Sequence, residues 1–356
     1  GLPAEAMLPI VDWAELPASM GQYGMSEGEP ALRELIAAQA RALGVPCEAS
    51  QVLIVSGSQQ TLDLASKLFI DSGTEVLVEA PTYLAALQSF QLFGAECLAV
   101  PQQADGPDLA ALRATLEQHE PAFAYLIPTF QNPSAVRYSE AKRDAVAALL
   151  DEFGVTLLED EPYRELVFDQ GSAKPIVSRL KRASWIYTGT VSKTLLPGLR
   201  VGYLVASPDL FPYLLRLKQS ADLHTNRIGQ WQALQWLGSE RYQAHLAELR
   251  DFYRVRRDAM QAALSEHFGD LATWQLPQGG LFFWLTLKQP LDTRTLLDRA
   301  LANDVVFMPG EPFFVDPDAN PGYLRLNFSH VAAERMEEGV RRLAQVIREG
   351  KALEAA

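Results

Sequence analysis

Cysteine, basic residues and long apolar runs are all scarce in this sequence of 356 residues. Its two cysteines, Cys47 and Cys97, provide no disulfide framework. Lysine and arginine number 31 against 44 aspartates and glutamates, and this net charge of −13 disfavours extended contact with nucleic acid. No apolar run approaches the roughly 20 residues of a membrane span, and no signal peptide is recognised. We therefore expect a protein of the reducing cytoplasm, without a membrane partner.

Two kinds of catalytic motif are also missing. The five histidines are scattered, and neither H-x-x-H nor C-x-x-C spacing occurs, so we expect no catalytic metal. The G-x-G-x-x-G fingerprint of dinucleotide-binding enzymes does not occur either. Whatever chemistry the chain performs must therefore come from other residues.

In the first two hundred residues, short apolar runs alternate with amphipathic helical segments. The predicted strands are 52–55, 75–79, 97–100, 123–127, 155–158 and 185–187, and one more follows directly at 201–207. This alternation predicts an α/β layer with a largely parallel sheet. After residue 207 the pattern changes, and it predicts a smaller α+β domain. Long helices at 208–222 and 227–268 come first. The predicted small domain then consists of strands at 281–287, 305–308 and 323–328 and a terminal helix from 332 to about 349.

The segment 185–203, W-I-Y-T-G-T-V-S-K-T-L-L-P-G-L-R-V-G-Y, contains a single lysine, Lys193. The hydroxyls of Thr190 and Ser192 precede it, and Arg200 follows. A desolvated lysine can lose its proton and attack a carbonyl, while hydroxyls and an arginine suit a phosphate. An isolated S-K-T triplet fits a solvated surface lysine equally well. It also resembles the end of a P-loop, but no glycine lies five residues before Ser192.

Asn132, Asp160 and Lys193 each follow a predicted strand. Ligands of parallel sheets bind beyond the carboxyl ends of the strands, so we expect these residues to converge on one rim. Each has a simpler explanation, Asn132 as a turn residue and Asp160 as a helix cap. The turn 56–58 before a helix offers free N–H groups to a phosphate, although an ordinary capped helix fits it too.

Two further residues stand out by their local pattern. Glycines surround Tyr23, which predicts a tight loop that presents this side chain rather than burying it. In Y-L-R-L-N-F, residues 323–328, strand alternation places Arg325 on a polar face opposite three apolar residues. That face fits either solvent or a binding site.

Six motifs together resemble the fold-type I aminotransferases that use pyridoxal 5′-phosphate. The resemblance is greatest to the kynurenine and 2-aminoadipate aminotransferase branch, and it extends to the aminotransferase-like domain of MocR-type regulators. The motifs, in family order over essentially the whole chain, are S-G-S-Q-Q, A-P-T-Y, Q-N-P, E-D-E-P-Y, S-K-T-L-L-P-G-L-R-V-G-Y and Y-L-R-L-N-F. The resemblance implies a three-layer α/β large domain with a mainly parallel sheet, plus a smaller α+β domain.

The resemblance also implies a role for each site residue. Lys193 would carry the cofactor as an aldimine, and Asp160 would pair with its pyridine nitrogen. Asn132 and Tyr163 would bond the ring hydroxyl, and Tyr83 would stack on the ring. Arg325 would take the substrate α-carboxylate beside Asn132. The phosphate would be held by Ser58, Gln59, Thr190, Ser192 and Arg200, and by Tyr23 from a partner subunit.

These residue types suit such chemistry. A carboxylate keeps the ring nitrogen protonated, so the ring can accept electrons when the Cα proton departs. A released lysine can move that proton. A bidentate arginine fixes which Cα bond stands perpendicular to the ring, and so favours transamination over decarboxylation.

Two features depart from the family pattern. The family commonly has N-P-T-G where this chain has Asn132-Pro133-Ser134-Ala135, which keeps the asparagine and alters the turn. The chain also opens at G-L-P, residues 1–3, whereas relatives usually carry a preceding segment that helps to close the active site.

The resemblance implies three regions. Residues 1–35 would pack on the small domain and a dimer partner, 36–240 would form the cofactor-binding domain, and 241–356 the small domain. We expect a homodimer with shared active sites that moves an amino group from an L-amino acid to a 2-oxo acid, with 2-oxoglutarate as the acceptor. The alternatives are the effector domain of a MocR-type regulator, for which no basic helix-turn-helix stretch is found, and a lyase or decarboxylase on the same fold.

Overall fold

The computed structural model describes residues 13–354 apart from residues 170 and 172, so the G-L-P motif at 1–3 lies outside the described residues. These described residues form one sheet of eight strands and one of four, both flanked by helices. The strands of the larger sheet all lie before residue 207, and those of the smaller sheet begin at Ala272. This confirms the prediction of an α/β layer followed by a smaller α+β region. The boundaries at residues 35 and 240 stay predictions. Within the described part of the chain, no helix has both the length and the apolarity to cross a membrane.

The large sheet has the order β1-β8-β7-β6-β5-β2-β3-β4. Its strands are β1 (Val52–Val55), β2 (Glu75–Ala80), β3 (Glu96–Gln103), β4 (Gly106–Pro107), β5 (Phe123–Leu126), β6 (Thr156–Asp160), β7 (Trp185–Thr190) and β8 (Gly202–Ala206). The five strands from β7 to β3 are parallel, whereas β8 and β1 at one edge and β4 at the other are antiparallel to their neighbours. The carboxyl ends of β5, β6 and β7 therefore meet at one rim.

Helices cover both faces of this sheet. They are α1 (Pro30–Ala42), α2 (Gln59–Phe69), α3 (Leu84–Leu92), α4 (Leu109–Gln118), α5 (Glu140–Phe153), α6 (Phe211–Asp222) and α7 (Arg227–Leu237). In β1, Val52 and Ile54 belong to one hydrophobic core, and Leu53 and Val55 belong to another. Strands buried on both faces read as continuous apolar runs, which explains why they are visible in the sequence.

The approach to β6 is set by the caps of α5. Ser139 Oγ accepts a hydrogen bond from Lys142 N at the start of the helix. Gly154 ends it in the left-handed conformation, with φ of 70°, as the sequence predicts. The chain then enters β6, whose last residue is Asp160.

The small sheet is antiparallel and has the order β11-β12-β10-β9. Its strands are β9 (Ala272–Trp274), β10 (Phe282–Leu287), β11 (Met308–Pro309) and β12 (Tyr323–Asn327), and the helices of this region are α8 (Arg241–His267), α9 (Thr293–Leu301) and α10 (Ala333–Glu354). In β12, Leu324 and Leu326 are buried in a third core, whereas Arg325 is not, so the predicted alternation is confirmed.

The structure differs from the sequence-based expectation in three places. The helix expected over 227–268 is two helices, since α7 ends at Leu237 and α8 begins at Arg241. Gly238 at the break is a poor helix former, and Ser239 Oγ bonds the carbonyl of Trp236 at 2.9 Å. The strand expected at 305–308 is limited to β11. The three-residue strand β9 is missed because so short a run carries no clear period.

Candidate active site

A cavity of about 340 Å³ lies at the rim where β5, β6 and β7 end. Every predicted site residue except Tyr23 lines it. These residues are Ser58, Gln59, Tyr83, Asn132, Asp160, Tyr163, Thr190, Ser192, Lys193, Arg200 and Arg325. A larger cavity of about 850 Å³, beside α10, is lined by none of them. The convergence expected from the strand ends is therefore found, and β12 contributes to it as well.

Asp160 is the only carboxylate among the residues that line this cavity in the described part of the chain, and it is buried. Its Oδ2 accepts a hydrogen bond from Tyr125 Oη at 2.9 Å, whereas its Oδ1 has no partner among the described residues. Burial raises the pKa of Asp160 to about 7, and the Glu161 charge adds to this, while the Tyr125 bond and Lys193 oppose it. A buried oxygen without a donor is costly, so the site suits a cationic N–H group at Oδ1.

Lys193 ends a short 3₁₀ turn, Val191–Lys193, directly after β7. Burial lowers the pKa of its ammonium, and the charges of Arg200 and Arg325 lower it further, while Asp160 opposes them. The Nζ lies 5.9 Å from the centre of the Tyr163 ring. A lysine with a lowered pKa has more of the neutral amine that attacks carbonyl carbon.

The N-terminus of α2 and Arg200 form an anion-binding corner. Gly57 has a φ of 77°, and a Cβ there would lie 2.3 Å from the Arg200 guanidinium. A Cβ on Gly202 would lie 2.6 Å from Ser58 N, so β8 approaches the turn closely. Arg200 donates to the carbonyl of Ser56 at 3.2 Å. The corner combines a guanidinium with the free N–H groups of a helix start.

Thr190 and Ser192 form a hydroxyl pair between β7 and Lys193. Thr190 Oγ1 accepts from Ser192 N at 3.1 Å and lies 2.8 Å from Ser192 Oγ. Both side chains line the cavity. The pair therefore presents two hydroxyls whose positions are fixed by local hydrogen bonds.

Asn132 and Arg325 join the two sheets across the cavity. Arg325 Nη1 donates to Asn132 Oδ1 at 2.5 Å. The guanidinium carbon lies 4.1 Å from the centre of the Phe282 ring and 5.1 Å from that of Phe313. The Nε of Arg325 is buried and has no partner among the described residues. The arginine is thus held by two rings and one amide, with donor capacity left for a carboxylate.

Two tyrosines border the same cavity. Tyr163 is buried and makes an edge contact with Phe282, with ring centres 5.8 Å apart. Burial raises the pKa of both Tyr163 and Tyr83, so both phenols stay protonated near neutral pH. Tyr83 Oη donates to Gln59 Oε1 at 3.4 Å, which links the start of α3 to that of α2.

Tyr23 lies apart from the cavity and is 82% exposed, as its glycine-rich loop predicts. Its ring makes an edge contact with His224 at 5.9 Å. Arg227 donates to the carbonyls of Gln22 and Tyr23, at 3.0 and 3.4 Å. The segment 24–28 of this loop matches G-x-S-x-G, but it lies in a turn before α1 and not between a strand and a helix, as a nucleophile elbow would.

Three residues of the site are not identified by the sequence reasoning. Tyr125 lies inside a buried apolar strand. The one feature of the sequence that could have identified it is its phenol, which needs a hydrogen-bond partner when it is buried. Phe282 and Phe313 are ordinary core residues by pattern, and their contact with Arg325 depends on how the two sheets meet.

The chain resembles known proteins over most of its length. Residues 4–343 match the family model described as aminotransferase class I and II. An aromatic-amino-acid aminotransferase of Thermococcus litoralis is 37% identical over 98% of this chain and 87% of the relative. A 2-aminoadipate transaminase of Thermus thermophilus is 38% identical over 98% of this chain and 89% of the relative.

A solved structure agrees with these matches. The α-aminoadipate aminotransferase of Thermus thermophilus, complexed with N-(5′-phosphopyridoxyl)-L-leucine, has a TM-score of 0.87 to this chain and is 37% identical. The superposition covers 94% of this chain and 85% of that one.

Proposed function

The chain belongs to the class I and II aminotransferases, which use pyridoxal 5′-phosphate to move amino groups, and we propose how its residues bind the cofactor and the substrate. The bound cofactor supplies an aldehyde carbon for a lysine and an electron-accepting ring. The chain must then supply a covalent anchor, a partner for the ring nitrogen, an anion site and a carboxylate site.

Asp160 is the proposed partner of the ring nitrogen, and Lys193 is the proposed anchor. The free Oδ1 of Asp160 supports this assignment, because a buried carboxylate oxygen needs a donor and a protonated pyridine provides one. The lowered pKa of Lys193 supports covalent attachment. When the substrate amine replaces it, the amino group of Lys193 would be free to take the proton from the substrate Cα and to deliver it to the former aldehyde carbon of the cofactor.

The anion-binding corner is the proposed phosphate site. Its members are Ser58, Gln59, Thr190, Ser192 and Arg200, together with the N–H groups at the start of α2. Support comes from Gly57 and Gly202, where a side chain would push against Arg200 and Ser58. Phosphates bind such helix starts because backbone donors and the helix dipole both favour an anion.

Asn132 and Tyr163 are proposed to bond the ring hydroxyl, and Tyr83 to stack on the ring. Because Asn132 Oδ1 accepts from Arg325, its Nδ2 group is left to donate to a ring oxygen. Tyr163 stays a neutral donor near neutral pH since burial raises its pKa.

Arg325 is the proposed carboxylate site of the substrate. Its unpaired Nε and its position between Phe282 and Phe313 support a fork with a fixed plane. A fixed carboxylate orients the Cα–H bond, so proton removal is favoured over loss of the carboxyl group.

We propose an aromatic L-amino acid as donor and 2-oxoglutarate as acceptor. The Phe282 ring and the apolar Leu62 and Ile127 line the cavity, which suits an aromatic side chain. Aromatic amino acids and 2-aminoadipate are the classes in the relatives' names. A panel of donors with 2-oxoglutarate tests the choice, and a tenfold preference for 2-aminoadipate over phenylalanine and tyrosine would overturn it.

A homodimer in the cytoplasm completes the proposal, with Tyr23 reaching the phosphate of the partner's cofactor. The high exposure of Tyr23 in one chain supports a contact across an interface. Mixing Tyr23→Phe with Lys193→Ala protomers should give hybrid dimers with one intact site and one doubly defective site. If each site is instead built from one chain, no intact site forms in the hybrid dimer, and mixing the two variants restores no activity.

The single observation that carries the site assignment is the buried Asp160 Oδ1, which has no donor among the described residues and lies near Lys193, whose pKa is lowered. Borohydride reduction followed by peptide mapping should find the pyridoxyl group on Lys193, and Lys193→Ala should lose it. Label on another lysine would contradict the assignment. Turnover of an amino acid with 2-oxoglutarate separates this enzyme from a regulator's effector domain and from a lyase or decarboxylase.

A further inference from the structure

Two turns form the wall of the cavity near Arg325, and a buried glutamine connects them. One turn, 81–83, leads to Tyr83, and the other, 131–136, contains Asn132. Gln131 has no exposed surface and does not line the cavity. It therefore touches neither substrate nor cofactor, yet it lies directly beside Asn132.

The side chain of Gln131 uses both ends of its amide. Its Nε2 donates to the carbonyl of Pro81 at 2.6 Å and lies 3.5 Å from Glu79 Oε2. Its Oε1 accepts from Ser134 N at 2.9 Å and from Ser134 Oγ at 2.8 Å. Only this orientation of the amide works, because a flip would set oxygen against the Pro81 carbonyl and NH₂ against the Ser134 N–H.

Glu79 fixes the amide from the other side. This carboxylate is buried and accepts from Tyr138 Oη at 2.6 Å, Gln102 Nε2 at 2.7 Å and Ile127 N at 2.9 Å. Gln131 is the member of this network that reaches both turns. Buried, fully bonded polar networks hold their members in one arrangement.

The turn at 131–136 needs such support. Ala135 has a φ of 59°, a left-handed conformation that residues with a Cβ disfavour. The main chain contributes bonds from Ala135 N to the Gln131 carbonyl and from Gln131 N to the Val136 carbonyl. The two bonds from Ser134 to the Gln131 amide add to these, so this turn is held from within by Gln131.

We propose that Gln131 is a positioning residue, which sets the spacing between Asn132 and Tyr83 and thereby the orientation of the Asn132–Arg325 pair. Substrate carboxylate binding then depends on a side chain that the substrate does not touch. The inference rests on the proposed roles of Asn132 and Arg325.

The test compares Gln131→Ala with Gln102→Ala. Both remove a donor from the Glu79 network, but among the described residues the Gln102 side chain makes its hydrogen bond to Glu79 and none to either turn. We expect Gln131→Ala to lower kcat/KM on the order of 10- to 100-fold, mainly through KM for the amino acid, since misplaced binding groups cost this much. Gln102→Ala should have a KM for the amino acid within about twofold of the wild-type value. Borohydride labelling of Lys193 should be retained in both, which is a readout independent of turnover.

A double-mutant cycle decides whether Gln131 acts through Asn132. If it does, Gln131→Ala combined with Asn132→Ala should be little worse than Asn132→Ala alone. Multiplicative losses would overturn the inference, as would an unchanged KM in Gln131→Ala. An Asn132→Ala variant of normal activity would instead refute the proposed role of Asn132.

Ser134→Ala keeps the inference testable if Gln131→Ala does not fold. It removes one of the two bonds to Gln131 Oε1 and leaves the backbone bond in place. We expect a smaller rise in KM in the same direction, and normal KM in a folded Ser134→Ala would count against the inference.

Discussion

The two ends of the cavity are built in different ways. The α2 end, which consists of Ser58, Thr190, Ser192 and Arg200, comes from two segments of the large sheet. Ser192 N donates to Thr190 Oγ1 two residues away, and Arg200 donates to the Ser56 carbonyl 144 positions away. In the inter-sheet end, which consists of Asn132, Phe282 and Arg325, the hydrogen bond from Arg325 to Asn132 joins residues 193 positions apart that belong to different sheets. The α2 end requires only the large sheet to be correctly formed, whereas the inter-sheet end requires both sheets to be correctly placed.

This comparison predicts separable effects. Changes at the α2 end should weaken cofactor binding, and changes at the inter-sheet end should weaken substrate use with the cofactor retained. Asp160 lines the same cavity, belongs to neither end, and should affect turnover.

The largest effect is expected for Asp160→Asn. The amide cannot keep the ring nitrogen protonated, so kcat should fall on the order of 100- to 1000-fold, the size of effect seen when a positioned electrostatic group is lost. Cofactor should still bind, as measured by borohydride labelling of Lys193. A kcat within a few fold of the wild type would contradict the role of Asp160.

Arg325→Lys tests the inter-sheet end. Lysine keeps the charge but loses the fork, and a charge-assisted pair is worth about 1.5–3 kcal/mol, so kcat/KM should fall about tenfold or more for amino acids and oxo acids alike. Amines without a carboxylate should react equally well with both proteins. The exposed Arg294→Lys, in the same small region, is the matched control. Unchanged kcat/KM in Arg325→Lys would mean that the carboxylate binds elsewhere.

Gly57→Ala tests the α2 end. Its new Cβ would displace the Arg200 guanidinium, so the Kd for pyridoxal phosphate should rise about tenfold while kcat at saturating cofactor changes little. Gly73→Ala is the control, because Gly73 also has a positive φ, of 84°, but open space around it. Equal weakening in both variants would show backbone strain rather than the displacement of Arg200.

The smallest expected effect is on how the stability of the cofactor-free protein depends on pH. The pKa of Asp160 is raised to about 7, against about 3.9 in an unfolded chain. Between roughly pH 4 and 7 the native state then binds more protons than the unfolded state, so this group makes stability fall as pH rises through that window.

Asp160→Asn should therefore reduce the loss of Tm between pH 5 and pH 8 by a few degrees, as measured by thermal unfolding of the apoprotein. Glu79 and Glu159, whose pKa values burial also raises to about 7, keep part of the slope in both proteins. An identical slope in wild type and variant would contradict the raised pKa of Asp160.

The same contrast explains what could be predicted from the sequence. Most residues of the α2 end lie in one short motif, which runs from Thr190 through Lys193 to Arg200. Their proximity could be predicted because only a few residues of chain separate them. Alternation places Arg325 on a polar face, and only the family resemblance puts Asn132 beside it. The hydrogen bond between the two could not be predicted, because it depends on how the two sheets pack. The bonds of Gln131 and the burial of Glu79 leave no periodic signal at all.

The pairing of β10 with β12 sets Trp284 opposite Arg325 and Leu285 opposite Leu324. If β12 slipped by one residue, every side chain would change faces, and the guanidinium would enter a core of leucine and phenylalanine while Leu324 faced the cavity. Burying an unpaired charge there is strongly unfavourable. The shifted register would therefore be much less stable than the native one, although the same core stabilises the small sheet in its native register. Arg325, which we propose binds the substrate, therefore also favours the correct register of β12. In that register its side chain faces the cavity.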